Sequence, residues 1–139
     1  MKSRTIKQLI LDSAKAVYPD IVRIRRHIHA NPELSGSEYK TAKLVYERCR
    51  KYGCIAKYHV HKTGVSATLA NGHGPIVVLR ADTDALPVEE KNRISYKSVH
   101  HGIMHACGHD MHTAALCGAM HILKKCEQVW SGTVVALFQ

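Results

Sequence analysis

Apolar residues Ile6, Leu9, Ile10, Ala14 and Val17 recur at the interval of one helix face until Pro19 interrupts them. The pattern predicts a first helix up to that proline and a second from near Asp20, with Ile21, Ile24 and Ile28 along one side. The second helix should end before Asn31-Pro32, because the residue ahead of a proline is steered away from helical geometry. Ser35 to Ser37 has the composition of a turn and cap. A third helix is expected over 38–52, with Ala42, Leu44, Val45 and Cys49 inward and Gly53 as its stop.

Beyond residue 53 the period shortens. Residues 54–61 and 65–69 have the character of two short strands joined through Lys62-Thr63-Gly64, and Asn71-Gly72-His73-Gly74 is a turn signal. Ile76 to Leu79 is a continuous aliphatic run of the kind buried on both faces of a parallel or mixed sheet. A helix is expected over 113–125 and a last buried strand over 133–138. Helices alternating with such strands indicate a single α/β unit over 1–139, its mixed and largely buried sheet flanked by helices. In such sheets the chemistry collects beyond the carboxyl ends of the strands, which is where Asp82 and Asp84 fall.

Composition narrows the functional classes. Apolar residues make up 45% of the 139, enough for a core, and with one Trp, one Phe and six Tyr that core must be aliphatic. The formal charge of +9 raises the question of an anionic partner. Lys and Arg are, however, spread along what read as solvated helix faces, without the interleaved aromatics of a base-stacking surface, so nucleic acid is not expected as a partner. No run approaches the roughly 20 apolar residues of a spanning helix, and membrane association is not expected either. Five cysteines, an odd number without a small-domain disulfide rhythm, and an amino terminus too charged for a secretory signal suggest a reduced, cytoplasmic protein.

The densest chemistry lies in His105-Ala106-Cys107-Gly108-His109-Asp110-Met111-His112, where a thiol, three imidazoles and a carboxylate share eight residues. Gly108 allows a turn tight enough for the Cys107 sulfur and a His109 nitrogen to face one ion. As packing, such a cluster would be wasteful, since each buried polar group needs its own partner. Two ligands do not complete a site, so others must come from elsewhere, and Asp82 and Asp84 are the nearest acidic candidates. Set at the amino end of a helix, a thiolate or carboxylate of this loop gains from the helix dipole.

Four stretches then carry a family resemblance: 25–34 (Arg-Arg-His-Ile-His-Ala-Asn-Pro-Glu-Leu), 62–65 (Lys-Thr-Gly-Val), 79–87 (Leu-Arg-Ala-Asp-Thr-Asp-Ala-Leu-Pro) and 104–113. In this order and spacing the chain resembles the amino-terminal part of the metal-dependent amidohydrolases that include hippurate hydrolase, N-acyl amino acid amidohydrolases and indole-acetyl amino acid hydrolases, relatives of carboxypeptidase G2 and the aminoacylases. The resemblance implies a zinc-peptidase-like catalytic domain with two divalent ions, zinc or manganese with cobalt possible, that activate a water for attack on an amide. It maps metal ligation onto Cys107 and His109, and onto Asp84 the part of an aspartate that orients a ligating histidine. Asp82 stands where more distant relatives carry a ligand histidine, which leaves its role open.

His100, His101, His105 and His112 are assigned supporting or surface places, and His27 and His29 a structural one. The family pattern continues into a Pro-Ala-Glu-Glu segment that supplies the general base and a further ligand, and into an inserted domain for dimerisation and for covering the substrate. Neither occurs within 1–139. The expected activity is hydrolysis of small N-acyl amino acids by a homo-oligomeric full-length protein, with residues 1–139 inactive on their own. The alternative is a short, non-catalytic chain that binds metal or a partner.

Overall fold

A computed structural model describes residues 5–59 and 62–139. Helix α1 spans Ile6–Ala30, α2 Tyr39–Lys51 and α3 His109–Lys125; the strands are β1 Ile55–Tyr58, β2 Val65–Asn71, β3 Ile76–Ala81 and β4 Gly132–Phe138. They form one mixed sheet in the order β1-β2-β4-β3, antiparallel except for the parallel β3–β4 pair. The mixed α/β class expected from the sequence is therefore present. Of the strand expected over 54–61, the structure gives Ile55–Tyr58, and residues 60 and 61 lie outside the described residues.

Three expectations need correction. Pro19 does not divide the first helical region, because α1 runs through it as one helix of 25 residues. A proline inside a helix forfeits one hydrogen bond and costs about 3 kcal/mol. Here Pro19 is exposed, on the side of α1 away from the buried Val17, Ile24 and Ile28. Each such aliphatic residue contributes about 1.5–3 kcal/mol. Packing overrides the local penalty.

The second correction concerns the sheet. Val65, Ala67 and Leu69 of β2 and Val134, Ala136 and Phe138 of β4 meet Ala42, Val45 and Cys49 of α2 and Leu116, Cys117 and Met120 of α3 in one core. That core covers one face. On the other face Ile76 and Val78 are 71% and 56% exposed, and Leu137 is 36% exposed. Far from being buried on both faces, β3 is an edge strand, with β4 as its sole neighbour among the described residues. An aliphatic run signals a strand with two apolar faces but does not say whether either is covered.

Third, α3 begins at His109, four residues before the expected start, so that His109 and Asp110 occupy its first turn. The cap is Gly108 in the left-handed region at φ 86°, a conformation that costs glycine little and other residues more. A second glycine is required by close approach: a Cβ on Gly132 would lie 2.5 Å from the Pro75 carbonyl oxygen. That contact lets Thr133 N–H donate to Pro75 O at 2.9 Å and set the start of β4 beside β3.

The third helix falls where expected, with Glu38 as N-cap and Gly53 at φ 86° just beyond its end. Its first amides are satisfied from further back, since Lys40 N–H and Thr41 N–H donate to the Glu33 carboxylate at 3.0 and 2.8 Å. Among the described residues no helix is long and apolar enough to cross a membrane.

Candidate metal centre

Parallel pairing places the carboxyl ends of β3 and β4 side by side. Gln139 N–H donates to Ala81 O at 3.1 Å and Thr83 N–H to Gln139 O at 2.7 Å, which carries the β3 register into the segment holding Asp82 and Asp84. Three further ties fix that segment. Thr113 Oγ1 donates from the start of α3 to Asp82 O at 2.9 Å, and Ala85 N–H donates to Glu33 O at 2.8 Å. Leu86 and Met104 exchange two backbone hydrogen bonds, each 3.0 Å, which binds the aspartate segment to the one leading into Cys107.

The four residues singled out in the sequence come together here. His109 Nδ1 lies 2.8 Å from Asp84 Oδ1 and 3.1 Å from Asp84 O. Both are acceptors, so Nδ1 carries a hydrogen and Nε2 is the ring nitrogen left for the cavity that His109 lines. A histidine that ligates a metal is commonly oriented by a carboxylate on its other nitrogen in this way. The Cys107 thiol is exposed and points to the same Asp84 carbonyl at 3.9 Å. Asp82 is held by Arg80, whose Nη2 and Nε lie 2.9 and 3.0 Å from Oδ1, and its Oδ2 is 3.9 Å from His109 Nε2.

Asp82, Asp84 and His109 line a polar cavity of about 410 Å³, to which Glu38 and Gln139 also contribute. Thiolate and imidazole suit a zinc-like ion, and His109 Nε2, with only the 3.9 Å Asp82 contact given for it, fits that use. Among the described residues, however, no group of three or more His, Cys, Asp or Glu side chains is arranged to hold a metal ion. The donors present fit part of a coordination shell.

Behind this surface lies a buried ionic network that the sequence did not disclose as a unit. His29, at the end of α1, places Nδ1 2.7 Å from Asp110 Oδ2 and Nε2 3.1 Å from Glu90 Oε1. Arg25 Nε is 2.8 Å from the same Asp110 oxygen. Glu90 also accepts from Ser98 N–H at 2.6 Å and Asn92 Nδ2 at 3.1 Å. Burial pushes its carboxyl upward, but the Ser98 amide, His29 and Asn92 outweigh that and hold it below the usual range.

The structural place given to His29 agrees with this geometry. Of the other histidines, His105 is buried with no partner for either ring nitrogen among the described residues, and burial holds it below the usual imidazole range against the pull of Asp110. His100 and His101 are exposed, the latter 2.9 Å from Glu89. His112 is exposed, its ring centroid 5.9 Å from that of His109. Glu90 was missed because the charged run Val88-Glu-Glu-Lys-Asn looks like solvated surface.

Comparison with known proteins agrees with this architecture. The model of "Peptidase family M20/M25/M40" matches residues 78–139, the stretch that runs from β3 through the metal loop to β4. An IAA-amino acid hydrolase of Arabidopsis thaliana is 47% identical over 117 residues, covering 84% of this chain and 25% of that protein. N-acetyl-L-cysteine deacetylase of Bacillus subtilis is 47% identical over 120 residues, 86% of this chain and 29% of that one. A crystal structure of a dinuclear metal-binding peptidase of the M20 family from Bacillus subtilis superposes with a TM-score of 0.84 at 35% identity, covering 90% of this chain and 35% of that one. With the motifs, the sheet order and these similarities in hand, the chain is similar over most of its length to a solved member of the M20 family, and its residues 78–139 match the model of peptidase family M20/M25/M40. It spans between a quarter and a third of the length of these curated relatives.

Proposed function

We propose that this chain forms the amino-terminal part of a hydrolase that cleaves the amide bond of small N-acyl amino acids with a metal-activated water. The observation that carries the reading is the Asp84–His109 contact at 2.8 Å, beside an exposed Cys107. Cys107 and His109 would hold one face of a two-ion centre of zinc or manganese, with cobalt as a further candidate, and Asp84 would fix the tautomer and direction of His109. Such a centre, when bound, supplies a Lewis acid for the scissile carbonyl and an acidified water.

The chain's own residues define the rest of its share. Arg80 pairs with Asp82 Oδ1 and leaves Oδ2 3.9 Å from His109 Nε2, so Asp82 would set the cavity's charge beside the ligand position of His109. Asp84 is occupied by His109 and Asp110 by His29 and Arg25, which leaves neither placed as a general base. Removal of a base costs about 10² to 10⁴ in rate. Residues 1–139 alone are therefore proposed to be inactive, with base and further ligands supplied in a longer protein. The relatives' names support the substrate class, since one acts on IAA-amino acid conjugates and another on N-acetyl-L-cysteine. Five free cysteines accord with a reducing compartment such as the cytoplasm.

The test compares the 139-residue chain with a version extended by the downstream sequence of a relative, measuring bound metal by mass spectrometry and hydrolysis of hippurate and related N-acyl amino acids. Metal and activity in the extended protein alone are the expected result. Hydrolysis by the short chain at a comparable rate would overturn the account of the missing base. The second reading, a non-catalytic partner-binding chain, draws on the exposed outer strand β3, and an extended protein with neither metal nor activity would favour it.

A further inference from the structure

A groove of about 370 Å³ runs between α1 and α3 on a side of the molecule lined by none of the residues of the polar cavity. Ile21, Met111 and Ala115 are among its apolar lining. At its rim the Tyr96 ring lies against two guanidinium groups, with Arg25 Cζ 5.0 Å and Arg26 Cζ 4.9 Å from its centroid. The two cations differ. Arg25 is paired with the buried Asp110 at 2.8 Å, whereas Arg26 is exposed and has no ion pair among the described residues.

We infer that this groove binds a small aromatic carboxylate, with the carboxylate on Arg26 and the ring on the apolar wall beside Tyr96. The volume falls in the range of small-molecule sites, roughly 300–1,000 Å³, which combine apolar lining with one or two fixed polar groups. A bare inorganic anion would leave the apolar lining wet, and a neutral apolar ligand would leave the Arg26 charge unanswered. An anion with a flat apolar body satisfies both, because a guanidinium can pair with a carboxylate in its plane while stacking its face on a ring. A second copy of the chain is a poor occupant, since the +9 charge of each would be brought to the same place. This inference does not depend on the hydrolytic reading.

The experiment is a titration of the ¹⁵N,¹³C-labelled 139-residue chain with 3-phenylpropionate, followed by NMR. Two controls are run beside it: 3-phenylpropan-1-ol, which lacks the charge, and propionate, which lacks the ring. Expected are saturable shifts at Met111, Ala115 and Tyr96, with both controls binding at least about tenfold more weakly, a difference of about 1.4 kcal/mol. Arg26→Ala, at an exposed position where the fold should be spared, removes the preference for acid over alcohol, and Arg26→Lys restores part of it. Equal binding of acid and alcohol overturns the proposal, as do shifts confined to the Asp82–His109 side or no saturation below about 10 mM. Groove shifts that grow with protein concentration in the absence of ligand would place a second copy there and overturn it equally.

Discussion

Two acidic clusters lie on either side of the first turn of α3, and they use the same chemistry differently. On the inner side, Asp110 and Glu90 are buried and meet His29 and Arg25 within 3.1 Å. On the outer side, Asp82 and Asp84 border a cavity, with Arg80 and His109 as partners that remain partly exposed. A carboxylate withdrawn from water must be paired or it destabilises the fold, whereas one at a cavity wall can exchange its partner for solvent or a ligand. The inner cluster is therefore expected to govern stability, and the outer one binding, although His109 of the outer and Asp110 of the inner are consecutive residues.

The sharpest way to break this contrast is to remove an inner partner. Asp110→Ala should destabilise the chain by about 3–5 kcal/mol in urea unfolding, since it leaves His29 and Arg25 without their shared counter-charge. A loss below about 1 kcal/mol would mean that the network is only incidental to the fold. Next comes Glu90→Gln, with an expected loss of about 1–3 kcal/mol at neutral pH. The Glu90 carboxyl is held low in the folded state. Its contribution is fully present above the unfolded carboxyl value, about 4.3, and is lost as pH falls through the lower folded value. Wild-type stability should thus decline with acid below about pH 4.3, and the Gln variant should decline less steeply over that window.

The outer cluster gives the converse. Asp84→Ala should leave unfolding within about 0.5 kcal/mol of wild type, yet weaken metal binding by the extended protein about 10- to 100-fold, because His109 loses the acceptor that orients it. Co(II) titration, followed through the thiolate absorption from Cys107, measures this directly. The smallest effect is expected at Cys117, fully buried in the same core cluster as Cys49. Cys117→Val should cost less than about 1.5 kcal/mol. A larger loss would extend the stabilising polar contacts beyond the Asp110 network.

What could be foreseen from the chain follows the same division. The outer residues sit in short motifs, 82–84 and 107–109, and the residue types alone pointed to a metal-facing use. Their union required the parallel β3–β4 pairing, which an α/β pattern implies. The inner network joins residues 25, 29, 90 and 110 from three separate segments, and no local period marks such a set. Pro19 misled because helix propensity is local while the apolar stripe that overrides it runs the length of α1. The start of α3 was placed late because His109 and Asp110 look like loop chemistry until Gly108 is seen to cap them. Exposure of β3 depends on what lies beside it, which its own residues do not record.

The His29 contacts also constrain how the protein reaches its native state. Its partners stand 81 and 61 residues away along the chain, and the parallel pairing of Leu79 with Ala136 spans a comparable distance. The His29 contacts cannot form while α1 is a lone helix, nor the strand pair before its connecting chain folds back, so long loops close before any of these contacts repays the entropy. A chain still emerging during synthesis would hold Asp82 and Asp84 ready-made in sequence, yet have no organised loop for His109 until α3 docks on α1. Assembly of the metal-facing surface is thereby timed to the end of folding rather than to the appearance of its residues.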